Sequence, residues 1–137
     1  MDEEFVVDEE MEPDPRLNRI TNAIIGAAIE VHRRLGAGLP EQPYQGAMEI
    51  ELTERGIPFE RQKRVQILYK GIVVGRGCID LLVAEKLIVE IKSCEMLHPT
   101  HRLQVLSYLR IIRQPLGLLI NFNVPILKEG IRRIICS

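Results

Sequence analysis

The chain reads as an α/β protein with a mixed β-sheet flanked by helices, in the order α-α-β-β-β-α-β-β. Three observations predict this. Apolar residues recur at helical spacing in two N-terminal segments and again after Pro99. Strand-like runs lie together between Ile57 and Lys92. A short, nearly all-apolar run, Leu116–Phe122, has the character of a central strand buried on both faces. Strands grouped between helices favour a sheet with helices packed on its faces.

Each element has its own signal. Asp14-Pro15 opens the first helix, with Asp as N-cap and Pro at the first helical position. The helix is expected over Pro15–Leu35, with Ile20, Ile24, Ala27, Ala28, Val31 and Leu35 as its apolar stripe, and Gly36-Ala37-Gly38 ends it. The second helix starts at Glu41 or Gln42, because Pro43 is tolerated only in a first turn, and runs to Arg55. Tyr44, Met48 and Leu52 mark its inner face. A strand over Ile57–Leu68, a turn at Lys70-Gly71 and strands at Ile72–Val83 and Leu87–Lys92 follow. Pro99 opens a third helix to about Arg113, Pro115 ends it, and Ile131–Cys136 is the last strand. Residues 1–14 form a separate acidic tail, expected to be disordered, ahead of one domain at 15–137.

At 137 residues and 46% apolar composition the chain can bury a real core. No apolar run approaches the roughly 20 residues of a membrane span, so no membrane role is expected. The acidic N-terminus does not read as a signal or transit peptide. Cys78, Cys94 and Cys136 form no CxxC pair and suit a reducing cytoplasm. His32, His98 and His101 lack zinc-finger spacing. Residues 1–15 hold eight acids and no base, leaving 18 bases against 11 acids in the rest, a net of +7. A basic body behind an acidic tail points to a polyanionic partner and to a tail that competes for the same surface, or simply solubilises the chain.

The chemistry concentrates in Gly77–Lys92. If Ala84-Glu85-Lys86 is the turn, opposed residue numbers sum to 170. Ile79, Leu81 and Val83 then face Ile91, Val89 and Leu87 on one apolar side, and Asp80 lies across from Glu90 with Lys92 two residues on. A one-residue slip scrambles these faces, so the apolar pattern itself selects the register that opposes two carboxylates. Like charges directly opposite destabilise a sheet. A divalent cation between them would turn that cost into a site.

Asp80 followed by Glu90-Ile91-Lys92 resembles the signature of the PD-(D/E)XK nuclease superfamily, with Ile79 in place of the proline. Gly38-Leu39-Pro40-Glu41-Gln42-Pro43-Tyr44 fits the motif of the small bacterial GxxExxY proteins, a branch of that superfamily. Gln104-Val105-Leu106-Ser107-Tyr108 fits the QxxxY element of its exonuclease-like members. The resemblance spans about Asn18–Cys136. It implies a restriction-endonuclease-like fold and a nuclease that uses Mg²⁺, with Mn²⁺ as a substitute, on nucleic acid, with DNA the first expectation. Asp80, Glu90, the Ile91 backbone carbonyl and Glu41 are the implied metal ligands, and Lys92 the implied catalytic lysine. Gln104 and Tyr108 are implied to position Lys92, Glu90 or the substrate phosphate. A homodimer or a larger partner would supply specificity.

Plainer readings stand beside these. Asp80, Glu90 and Lys92 make an exposed salt-bridged face, Glu41 a first-turn acid favoured by the helix dipole, and Gln104 and Tyr108 packing residues. His32 is a phosphate contact or a satisfied histidine at the core edge. Arg61, Lys63 and Arg64 are a solvated strand edge or a track for phosphates. For function, the alternative is a non-catalytic module that binds nucleic acid or protein. If the tail screens the basic surface, deleting residues 1–14 tightens DNA binding at low salt in a fluorescence titration; unchanged affinity reduces the tail to a leader.

Overall fold

The computed structural model describes residues 5–6 and 15–136. Its elements run β1 (Phe5–Val6), α1 (Pro15–Leu35), α2 (Glu41–Glu54), β2 (Phe59–Tyr69), β3 (Ile72–Val83), β4 (Leu87–Lys92), α3 (Pro99–Ile112), β5 (Leu116–Asn121) and β6 (Ile131–Ile135), with a 3-10 turn at Leu127–Gly130. Five principal strands and the two-residue β1 form one mixed sheet in the order β1-β6-β5-β4-β3-β2. Among the described strands only β4 and β5 run parallel, because the α3 crossover joins them. The expected α/β class and element order are therefore present.

The helices sandwich the sheet. α1 and α2 cover one face, burying Ile24, Ala27, Ala28, Tyr44, Met48 and Leu52 against Leu81, Val83, Leu87, Val89 and Ile91. α3 covers the other, where Val105, Leu106 and Leu109 meet Val65, Ile79, Leu82, Ile88 and Leu119. β5 is buried along its whole length, as its composition predicts.

Several expectations need correction. Phe5–Val6 is not irregular, because it pairs antiparallel with β6. The rest of the tail, including the Asp14 cap, lies outside the described residues. The α1 stripe carries Leu17 and Thr21, while Ile20 is half-buried and Leu35 is exposed. β2 starts at Phe59 rather than Ile57. Gly56 takes φ +72° after α2, and Pro58, which has no N–H to give a ladder, offers its carbonyl to the Ala84 amide instead.

The β3–β4 register is the expected one at Leu81–Val89, Leu82–Ile88 and Val83–Leu87. The turn is also as expected, with Ala84 and Glu85 both at positive φ. The ladder stops there, however, and the pairs Ile79–Ile91 and Asp80–Glu90 do not form. The β2–β3 ladder skips the matching rung: Arg61–Leu81 and Lys63–Ile79 pair, Gln62 and Asp80 do not, and Gln62 takes φ 49°. This break resets the alternation of side chains. Ile79 packs under α3, whereas Leu81, of the same parity, packs under α1 and α2. Phe59 and Val65 of β2 divide in the same way.

Below the break, β3 is held by α3. The Tyr108 ring lies over Gly77, where an added Cβ would come within 2.7 Å of it, and the Tyr108 hydroxyl accepts from the Cys78 amide at 3.3 Å. Gly77→Ala is therefore expected to cost about 1–3 kcal/mol in denaturant unfolding through overpacking. Most of that loss should vanish when Tyr108→Ala supplies room, so the two changes combine to less than their sum. Additive losses would mean that the ring does not set the constraint.

Candidate active site

The break at Asp80 is made by side chains that take over the ladder. The Asp80 amide donates to Glu90 Oε2 at 2.9 Å. The Ile91 amide donates to Asp80 Oδ2 at the same distance. Each carboxylate thus accepts the backbone hydrogen bond that a strand carbonyl would otherwise take. Two amides are satisfied, and the two acids are brought together.

Glu90 carries the electrostatic load. It is only 3% exposed. Burial, then the Asp80 charge, push its pKa up to about 8; the Asp80 amide and Lys92 oppose this, and Glu41 adds to it. Lys92 follows on the same strand and is half-buried. Its neighbour Ser93 donates to the Leu39 carbonyl at 2.5 Å, tying the end of β4 to the loop before α2.

That loop explains the spacing of Gly38, Glu41 and Tyr44. The Tyr44 hydroxyl donates to the Gly36 carbonyl at 2.6 Å and accepts from the Leu39 amide at 3.2 Å. Its ring stacks on Phe122 at 4.6 Å. Gly38 supplies a φ of +101° that other residues rarely adopt. The clamped loop starts α2 at Glu41, which is exposed yet close enough to raise the Glu90 pKa.

The other expected residues have mixed fates. Tyr108 turns onto β3 and steadies the Asp80 strand, instead of bonding Lys92 or Glu90. Gln104, one turn earlier, is exposed and its side chain makes no hydrogen bond among the described residues. His32 Nε2 lies 2.7 Å from the Val124 carbonyl and pins α1 to the β5–β6 connection, which is the plainer of its two readings. Ile91 meets Asp80 through its amide.

Three residues near the carboxylates were not foreseen as site members. Gln62 Nε2 lies 2.8 Å from Gln45 Oε1 and 3.4 Å from Asp80 Oδ1. Gln45 also reaches Glu49 at 3.0 Å and the Asp80 carbonyl at 3.5 Å. With Gln42, Gly46, Glu49 and Arg61 they line an open groove of about 430 Å³. His101 stands in the first turn of α3, its Nδ1 accepting from the His98 amide at 3.1 Å. Burial and then Lys92 lower its pKa, and Glu41 opposes them, so it belongs to the same electrostatic neighbourhood.

The donor set suits a hard divalent cation. It offers carboxylate oxygens from adjacent strands, one of them buried with its charge under-compensated. No group of three or more His, Cys, Asp or Glu side chains gathers closely enough to hold a metal among the described residues, so Glu41 stands apart from the pair.

A mixed sheet between helices, with an acidic pair and a lysine at a break in its strands, defines a restriction-endonuclease-like domain. A family model of the PD-(D/E)XK nuclease superfamily matches residues 18–134, and the chain belongs to that superfamily. No curated protein and no solved structure matches it.

The raised Glu90 pKa has a definite sign in stability. Between about 4.5 and about 8 the folded chain keeps a proton that the unfolded chain releases. Stability therefore falls as pH rises through that window, by up to about 1.4 kcal/mol per pH unit, and levels off above it. In chelator, Glu90→Gln keeps the acceptor for the Asp80 amide and removes the titration. Its Tm should match wild type near pH 5 and exceed it at pH 8. Parallel Tm curves would refute the buried-acid assignment.

Proposed function

We propose that this chain is a Mg²⁺-dependent nuclease of the GxxExxY branch that hydrolyses DNA phosphodiester bonds. One observation carries the reading: Asp80 and Glu90 each accept an amide of the other's strand beside Lys92, which fixes two mutually repelling acids side by side. A purely structural pair has no reason to bury Glu90 against a second acid.

In this reading Asp80 and Glu90 would hold the cation, with the Ile91 carbonyl as a further oxygen donor and Glu41, which stands apart, reaching it through water. The cation would supply Lewis-acid activation of water and of the phosphoryl group. Lys92 binds the phosphoryl oxygens and favours the charge that develops there. Glu90 would hold the cation as the carboxylate, because a bound positive charge offsets the burial and repulsion that raise its pKa. Gln62 and Gln45 orient Asp80 from the groove side, and Tyr108 keeps the Asp80 strand from shifting. The three free cysteines accord with a cytoplasmic location.

One observation favours a second reading, a binding module on the same fold: among the described residues no third His, Cys, Asp or Glu side chain joins the pair. Calorimetric titration separates the two. A nuclease takes up Mg²⁺ or Mn²⁺ at Asp80 and Glu90, and a module does not.

With Mg²⁺ or Mn²⁺ the purified protein should cut DNA. Asp80→Asn, which keeps an acceptor for the Ile91 amide, and Lys92→Ala should each lower the rate by about 100-fold or more, a loss of roughly 3 kcal/mol of transition-state stabilisation. Circular dichroism should stay unchanged. Cleavage by both variants at the wild-type rate would overturn the site.

A further inference from the structure

The β2–β3 ribbon outruns the sheet. β3 pairs with β4 only from Leu81 to Val83, whereas β2 and β3 stay paired out to Tyr69 and Ile72. Residues 63–79 are thus a two-stranded arm. Its base is held by Val65 and Ile79 under α3 and by Tyr108 over Gly77. Its far end is open, with Leu68, Tyr69, Ile72 and Val74 between 57% and 67% exposed.

One face of the arm leads to the carboxylates. Val65 is buried toward α3, so its neighbours Arg64 and Gln66 point to the other side. Their cross-strand partners are Cys78 and Arg76. Cys78 Sγ lies 3.0 Å from Gln62 Oε1, and Gln62 reaches Asp80 at 3.4 Å. A continuous polar surface therefore runs from Asp80 through Gln62 and Cys78 to Arg64 and Arg76.

Its charge is one-signed. Residues 61–79 hold five bases and no acid. Two of the bases are engaged from outside the arm: Arg61 by Glu49 at 3.2 Å and Lys63 by Glu60 at 3.4 Å. The side chains of Arg64 and Arg76 make no ion pair or hydrogen bond among the described residues, and Lys70 at the tip lies over the Tyr69 ring. Of Arg61, Lys63 and Arg64, which the sequence offers as a solvated edge or a phosphate track, two are thus ion-paired, and the bases without an acidic partner among the described residues are Arg64, Arg76 and Lys70.

We propose that this arm is the duplex-binding element of the protein. Arg64 and Arg76 contact phosphates of the DNA flanking the carboxylate site, and the apolar tip enters the major groove, which admits a two-stranded β-ribbon. Arg76 is four residues from Asp80 along β3, roughly 13 Å at strand rise. At 3.4 Å per step this places the contacts about four base pairs from the phosphate at Asp80 and Glu90. The placement of the cut rests on the nuclease reading; the binding does not.

The test is binding of a 20-base-pair duplex in EDTA, by fluorescence anisotropy across a salt series. No cleavage is needed, so a protein that never cuts can still pass or fail. Arg64→Ala/Arg76→Ala should weaken binding roughly ten- to fifty-fold near 0.1 M salt and lower the salt slope by about 1.8, the share of two phosphates. Arg64→Lys/Arg76→Lys should restore most of both, which separates charge from fold. Wild-type affinity and slope in the alanine variant would overturn the proposal, as would failure of the wild-type chain to bind the duplex. An unchanged duplex affinity in Leu68→Ser/Ile72→Ser accompanied by loss of a dimer in light scattering would also overturn it, assigning the tip to a second copy.

Discussion

Two strand amides bonded to side-chain carboxylates are the constraint on which the rest of the structure turns. The exchange between Asp80, Glu90 and Ile91 ends the β3–β4 ladder at Leu81. It lets Ile79 pack under α3 while Leu81 packs under α1 and α2. It also frees the outer half of β3 to leave the sheet with β2. A continuous ladder would have buried both acids in a flat sheet and left no arm. One local substitution of side chain for backbone thus links the sandwich, the acid pair and the ribbon.

The sequence is informative where one force dominates. β5 is legible because a strand covered on both faces has no polar position to disguise it. The β3–β4 register is legible because Leu81, Val83, Leu87 and Val89 share a face in only one alignment. α2 is legible from Pro43, which a helix accepts only in its first turn. The misses lie where a side chain competes with the backbone. Nothing in the alternation of Ile79, Asp80 and Leu81 reveals that Asp80 will capture an amide, so the face reversal is hidden. Gln62 is hidden by a register shift between Ile67 and Leu68. Counting back from the Lys70-Gly71 turn without that shift sets Arg61, not Gln62, opposite Asp80. Tyr108 is visible as half of a QxxxY spacing, but its direction depends on the gap above Gly77, which only the packed structure supplies.

The Gly38–Tyr44 motif has a similar lesson. Its tyrosine is buried and carries no exposed chemistry. It closes a loop through Gly36 and Leu39 and stacks on Phe122 at the end of the central strand. Glu41, the acid in the motif, is placed by that clamp and by Ser93 reaching back to Leu39. The motif is therefore largely a device for setting the first turn of α2 against the end of β4. That is why a pattern containing one acid spans seven residues.

The compactness of the Asp80–Ile91 exchange bears on how the chain folds. Its two hydrogen bonds close loops of ten and eleven residues inside one hairpin. The parallel β4–β5 pairing must instead wait for the α3 crossover, and α2 reaches the site from some forty residues upstream. Hairpins close in about 1–10 μs, well ahead of such non-local pairings. The acids thus meet while still bathed in solvent, where their repulsion is weak, and are enclosed only as the helices dock. On that order of events the electrostatic penalty of the site falls on the docking of the helices and not on closure of the hairpin.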